Sequence, residues 1–146
     1  MSSIEQTGAA WKWTGPVKIK RVQHVSIPIS AGGADQARSF YGGLLGLREK
    51  QIPSTLDASM LTWFAVGNDE HEIHCFVDAD FENRSGGAHL CLQVDDIDAL
   101  RRQLTEGGIE LEPEPDPIHN RPRSFVRDPF GNLIEFTQIN GRYEED

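Results

Sequence analysis

The chain repeats itself, and that repeat restricts it to few architectures. His24-Val25-Ser26-Ile27-Pro28-Ile29 is matched by His89-Leu90-Cys91-Leu92-Gln93-Val94. Each stretch alternates in the manner of a strand, and each is followed by apolar residues at helical spacing. In the first half these are Ala37, Phe40, Tyr41, Leu44 and Leu45, with Asp35 near the start and Gly46 as the stop. In the second they are Ile97, Leu100 and Leu104, with Asp95 or Asp96 as cap and Gly107-Gly108 as the stop. Gly46-Leu47-Arg48-Glu49 then answers to Gly108-Ile109-Glu110-Leu111. Each half closes on a strand, Glu72-Ile73-His74-Cys75-Phe76 and Leu133-Ile134-Glu135-Phe136. The order is βαβββ twice. A half of this size exposes one sheet face, so the two halves are expected to share a core.

The expected organisation is an N-terminal arm over 1–19, a first module over 20–80, a linker over 81–87, a second module over 88–140 and an acidic tail over 141–146. Residues 1–16 read as irregular, with Trp11 and Trp13 free to cover an apolar patch of this chain or of a second copy. Strands are expected over 20–29, 47–52, 60–66, 72–77, 88–94, 109–112, 124–127 and 133–139. Asp128-Pro129-Phe130-Gly131-Asn132 reads as the tight turn that aims the last strand.

That strand places Glu135 among aliphatic neighbours. A buried carboxylate needs a partner. Repeat logic supplies candidates. His24 and His89 hold the same place in the opening strands, and His74 and Glu135 hold the same place in the closing strands. Val25, Ile27, Leu90 and Leu92 point the other way, toward the helices. The four polar side chains are therefore expected to converge on one inner face. Two or three imidazoles with one carboxylate suit Zn²⁺, Fe²⁺, Mn²⁺, Ni²⁺ or Co²⁺. The competing reading for Glu135 is an ion pair with an arginine such as Arg123. The matched histidines favour the metal.

Composition narrows the partners. Fourteen basic and 23 acidic residues give a formal charge of −9. Such a chain is repelled by nucleic acid and by anionic membrane surfaces. It has no apolar run long enough to span a bilayer. Its first six residues lack the basic and apolar parts of a signal peptide. Cys75 and Cys91 form no CxxC pair and read as reduced thiols, so a cytoplasmic location is expected.

These motifs, together with Phe40-Tyr41, Leu44-Leu45-Gly46-Leu47, Val94-Asp95-Asp96-Ile97-Asp98 and Asp128–Glu135, resemble the vicinal oxygen chelate superfamily of glyoxalases, bleomycin-resistance proteins and extradiol dioxygenases. The resemblance spans about residues 20–140. It implies an α+β fold, two βαβββ modules forming a cupped mixed sheet around one central site, and a homodimer. It implies metal ligation by His24, His89 and Glu135, with His74 as a fourth ligand. Known glyoxalases commonly have Glu at that fourth position, and His74 departs from it. The implied chemistry is Lewis-acid stabilisation of an enediolate or catecholate of a small oxygen-rich substrate, with Glu135 or His74 moving a proton. A metal-free drug-binding protein of the bleomycin-resistance type is the alternative, and a thiol-transfer enzyme of the fosfomycin type is a third. Trp63 is a candidate pocket wall. Arg121 and Arg123 are candidates for an anionic substrate group, as is Arg38 for a glutathione carboxylate. His71 and His119 read as solvated loop residues, with His119 in a loop that could cover the site.

Overall fold

The computed structural model describes residues 4–7, 10–13, 15–68 and 71–144, with side chains from residue 15 onward. The fold is α+β. The first half runs β3 (His24–Ile29), α1 (Ala34–Ala37), β4 (Arg48–Lys50), β5 (Leu61–Val66) and β6 (His71–Val77), preceded by β1 (Ile4–Thr7) and β2 (Ala10–Trp13). The second runs β7 (His89–Gln93), α2 (Ile97–Glu106), β8 (Arg123–Arg127) and β9 (Leu133–Thr137). The sheets are ordered β3-β6-β5-β4 and β7-β9-β8. In each, the opening strand lies at one edge and pairs parallel with the closing strand.

Several local expectations are corrected. The arm is not irregular throughout: β1 and β2 pair antiparallel as a hairpin. The placement of the Trp11 and Trp13 indoles lies outside the described residues. The first strand begins at His24 rather than at residue 20, because its partner β6 starts at His71 and His24 already faces Glu72. Upstream, His71 Nδ1 meets Val22 O at 2.8 Å, and Ile19 and Val22 are exposed. The first helix continues beyond Ala37 as a π-helix over Arg38–Leu44, where Leu45 N donates to Phe40 O. Gly42 and Gly43 give this segment poor α-helical propensity, and the wider turn still buries Phe40 and Tyr41. Residues 109–112 form no strand; one bond, Glu112 N to Phe125 O, is what remains of that pairing. Pro113 and Pro115 follow at once and cannot donate to a ladder.

The helix α2 matches its expected bounds. Asp96 caps it by accepting from Ala99 N at 2.9 Å. Ile27, Ile29, Phe40, Tyr41, Phe64 and Ile73 from the first half join Ile97, Leu104, Val126, Ile134 and Phe136 from the second in a single buried cluster. Each such side chain contributes about 1.5–3 kcal/mol by leaving water. The halves therefore share one core on the helix side, and the opposite faces of both sheets are left for polar residues.

Asp128 locks the halves together. It is buried, and its carboxylate accepts from Tyr41 Oη at 2.6 Å, Phe130 N at 2.9 Å, Asn132 N at 2.8 Å and Asn132 Nδ2 at 2.9 Å. Asn132 Nδ2 also donates to Pro28 O on β3 at 3.0 Å. The turn thus does more than aim β9: it ties β9 to the first helix and the first strand. Gly131 sits at φ +81°, and a Cβ there would lie 2.2 Å from Arg84 O. Only glycine lets the connection between the modules pass this close.

Candidate functional site

Register places the four expected residues on equivalent points of the two sheets. On β3 and β6, His24 faces Glu72 and Ser26 faces His74. On β7 and β9, His89 faces Leu133 and Cys91 faces Glu135. In both halves the closing-strand residue pairs with the residue two beyond the opening-strand histidine. Alternation sends Val25, Ile27, Ile73 and Ile134 to the core and the polar set to the other face.

On the first sheet the site is a stack of three rings from three adjacent strands. Trp63 lies on His74 with centroids 3.8 Å apart and planes 2° from parallel. His74 lies on His24 at 4.0 Å and 17°. Phe64, the neighbour of Trp63, is wholly buried in the core. The edge of His74 is fixed as well: Nε2 donates to Glu72 Oε1 at 2.8 Å. Glu72 forms an ion pair with Lys50. Lys50 above all, and then His74, hold the Glu72 carboxyl down to about 2. Burial pushes the His74 pKa below the ordinary histidine value, against the opposing pull of Glu72. A neutral His74 donating to an ionised Glu72 satisfies both.

On the second sheet His89 Nε2 stands 3.1 Å from Glu135 Oε2, while Arg123 Nη1 reaches Glu135 Oε1 at 3.3 Å. Both partners anticipated for Glu135, a histidine-based site and Arg123, are therefore present. Arg123 Nη2 also donates to Asp116 O at 2.8 Å, and the guanidinium lies 5.4 Å over Phe125. Its Nε is buried without a hydrogen-bond partner, as is Trp63 Nε1. Cys91 is exposed beside Glu135, and desolvation and then that carboxylate push its thiol up to about 11, which disfavours the thiolate.

The four candidates do not meet within one chain. His24 and His74 belong to one sheet and His89 and Glu135 to the other, and among the described residues no group of three or more His, Cys, Asp or Glu side chains is close enough to hold a metal. Each half-site nevertheless has the chemistry of a ligand pair. His24 Nδ1 bonds Gln23 Oε1 at 2.7 Å, His89 Nδ1 bonds Gly87 O at 2.8 Å, and His74 Nε2 bonds Glu72. Every one of these oxygens can only accept, so each histidine nitrogen involved is the donor. Among the described residues the other nitrogen of His24 and of His74 has no hydrogen-bond partner, and that of His89 lies 3.1 Å from Glu135 Oε2. At His89 that nitrogen faces a carboxylate, an arrangement of two acceptors unless a proton or a cation lies between them. Imidazole nitrogen and carboxylate oxygen fit a borderline divalent ion.

The remaining candidates lie apart. Arg121 donates to Asn120 O and Gly141 O and lies 5.2 Å over Tyr143, tied to the C-terminal segment. Arg38 is held on the surface by Glu49 and Asp35. His119 is exposed. Gln23, Lys50 and Glu72 were not anticipated. Glu72 stands two residues before His74, on the same face of the same strand, and that spacing was its only sequence signal.

The fold and this pairing of half-sites define a class, and the comparisons agree. Residues 21–136 match the family model of the glyoxalase/bleomycin resistance protein/dioxygenase superfamily. A glyoxalase family protein from Bacillus anthracis is 34% identical, with a TM-score of 0.74 over 86% of this chain and 99% of that one. The fosfomycin resistance protein FosX from Listeria monocytogenes, in a complex with Mn(II) and a dihydroxypropylphosphonic acid, gives a TM-score of 0.71 at 14% identity, covering 88% and 98%. TnmS3, an antibiotic binding protein from Streptomyces sp. CB03234, gives 0.64 at 21%, covering 84% and 98%. The last two share the fold alone. No curated protein matches. The chain belongs to the glyoxalase/bleomycin resistance protein/dioxygenase superfamily.

Proposed function

We propose that the protein is a divalent-metal-dependent enzyme, a lyase, isomerase or dioxygenase, acting on a small substrate with vicinal oxygens. The observation that carries this reading is the state of His24 and His74: each has one ring nitrogen held by an acceptor oxygen, and among the described residues none bonds the other, while the second nitrogen of His89 meets Glu135. His24 and His74 would hold the ion from one side, and His89 and Glu135 from the other. A single chain offers these as separate pairs, so the reading includes a homodimer in which the first sheet of one copy faces the second sheet of another. A two-fold axis then produces two such sites. When bound, a divalent cation there supplies Lewis acidity to a pair of substrate oxygens.

The chain's own residues do the rest. Arg123 shares Glu135 with His89 and can turn to an anionic substrate group once Glu135 is engaged elsewhere. Trp63 covers one face of His74 and walls the site. Glu135 is placed to take and return a proton. Cytoplasmic residence belongs to the same proposal and is supported by two free thiols, Cys75 and Cys91.

The test is metal content of protein purified and reconstituted anaerobically, with His24→Ala, His89→Ala and Glu135→Ala beside it, and sedimentation to give the oligomeric state. Near-stoichiometric metal in a dimeric wild type, lost in each variant, is the expected result. A wild type that takes up no divalent metal overturns it. One observation favours a second reading, a metal-free small-molecule binding protein: Arg123 already neutralises Glu135. In that case the Trp63–His74–His24 stack would receive a planar ligand.

A further inference from the structure

We infer that Glu72 is a positioning residue that decides which nitrogen His24 and His74 present to the site, and that Lys50 holds Glu72 in place for this. The consequence for ligand binding rests on the metal reading above; the positioning itself does not.

The geometry is specific. His74 is clamped on both faces, by Trp63 at 3.8 Å and His24 at 4.0 Å, so its ring has little freedom to turn. Only its edge remains to be set, and Glu72 Oε1 sets it at 2.8 Å from Nε2. Paired with the Lys50 ammonium, Glu72 is a carboxylate and can only accept. Nε2 must therefore carry the hydrogen, and Nδ1 is left with its lone pair. Glu72 N donates to Gln23 O at 3.0 Å, which sets Gln23 beside Glu72. A carboxylate turns the amide so that its NH₂ faces Glu72. The amide oxygen of Gln23 is then the atom that meets His24 Nδ1 at 2.7 Å. That fixes the hydrogen on Nδ1 of His24 and frees Nε2. One carboxylate thus fixes two imidazoles in opposite tautomers, directly in one case and through an amide in the other.

Glu72→Gln tests this with little change of shape. A glutamine has one acceptor oxygen, and the Lys50 ammonium, which only donates, takes it. The new NH₂ then faces His74 Nε2 and can only donate, which drives the hydrogen to Nδ1. The readout is long-range ¹H–¹⁵N correlation of the ring nitrogens in metal-free protein. The expected result is an Nε2–H tautomer for His74 in the wild type and an Nδ1–H tautomer in Glu72→Gln, with His89 on the other sheet unchanged as a sign of intact folding. Glu72→Ala should leave His74 and His24 as tautomer mixtures. Lys50→Met keeps the accepting carboxylate but removes the ammonium that holds it, and should leave His74 as a partial tautomer mixture, between the wild type and Glu72→Gln; an unchanged tautomer overturns the role given to Lys50. Titration with Co²⁺ should show affinity in Glu72→Gln reduced roughly 10- to 100-fold, the scale usual for partners that orient metal-bound histidines. An Nδ1–H tautomer in the wild type, or the same tautomer in wild type and Glu72→Gln, overturns the inference. A wild type that ignores Co²⁺ but shows the expected tautomers overturns the metal reading and leaves the positioning role standing.

Discussion

His74 and Glu135 occupy the same register point of two parallel strand pairs. Each faces the residue two beyond an opening-strand histidine, Ser26 in one half and Cys91 in the other. The backbone treats the two positions alike, while the side chains around them differ. His74 is enclosed by rings and held by a carboxylate. Glu135 is shared between an imidazole and a guanidinium. The pseudo-symmetry of the fold thus places an imidazole and a carboxylate in equivalent frames, each with a partner of the complementary kind.

The Glu135 side of that relationship gives a prediction. Glu135 is mostly buried, and Arg123 is its cationic partner at 3.3 Å. Arg123→Met keeps much of the aliphatic stem and removes the charge. The carboxylate then faces His89 Nε2 without its guanidinium, at a cost of about 1–3 kcal/mol in metal-free protein. Thermal melts with and without Zn²⁺ or Co²⁺ check this. If Glu135 is a metal ligand, added ion raises the melting temperature of Arg123→Met more than that of the wild type, because it restores a cation to the carboxylate. Equal shifts, or none, count against ligation by Glu135.

How much of this was legible beforehand differs between the fold and the site. The repeat made the opening strands equivalent to each other and the closing strands likewise, whereas the parallel pairing between them came from the structure, because period-two alternation sets the face of a side chain and not the direction of its neighbour. Capping chemistry marked the bounds of α2 to within a residue, with Asp95 or Asp96 at the start and Gly107-Gly108 at the end, and the structure uses Asp96 and Gly107. The π-helix over Arg38–Leu44 was not legible, since its Phe and Tyr spacing also suits an α-helix. The site was half legible. Alternation assigned His24, His74, His89 and Glu135 to the faces of their strands opposite Val25, Ile27, Leu90 and Leu92, and the expected convergence of all four is not seen within one chain. It carried no information on whether two such faces of one chain meet. Glu72 and Gln23 are sequence neighbours of His74 and His24 and carry no signal beyond that spacing, whereas Lys50 escaped because its contact with Glu72 crosses strands. Lys50 belongs to an edge strand whose register depends on the long loop before β5, and no local pattern fixes that.

Asp128 supports a prediction about stability alone. Tyr41 Oη donates to its Oδ2 at 2.6 Å across the two halves, and both groups are buried. Tyr41→Phe removes the donor and keeps the ring in the core. Three backbone and amide donors still serve the carboxylate, so no charge is left unsolvated. The expected loss is roughly 1.5–3 kcal/mol, the range for a bond to a charged group. Urea unfolding measures it, with the slope unchanged because the fold is unchanged. A loss below a few tenths of a kcal/mol contradicts the joint described for Asp128. Metal uptake, if the protein binds metal, should be preserved in this variant.

The same joint predicts an alkaline limit. Cys75 is fully buried, and burial, with the nearby Asp128 charge, pushes its thiol up to about 12 from an ordinary value near 9. Tyr41 is raised well above 10 by burial first and by Asp128 second. Both pKa values are higher in the folded state, so the stability they represent is complete below the unfolded values. It is lost as pH rises through the window between unfolded and folded values. From about pH 9 upward, unfolding releases the Cys75 proton, and stability falls by about 1.4 kcal/mol per pH unit for that one proton. Tyr41 adds to the slope above about pH 10. Denaturant unfolding at a series of pH values between 8 and 11 measures the slope. Cys75→Ala opens a small cavity and lowers the whole curve, but its slope between pH 9 and 10 should be shallower than that of the wild type. Parallel curves over that interval show that Cys75 ionises in the folded protein as readily as in the unfolded one, and that the core around Tyr41 and Asp128 is open to water.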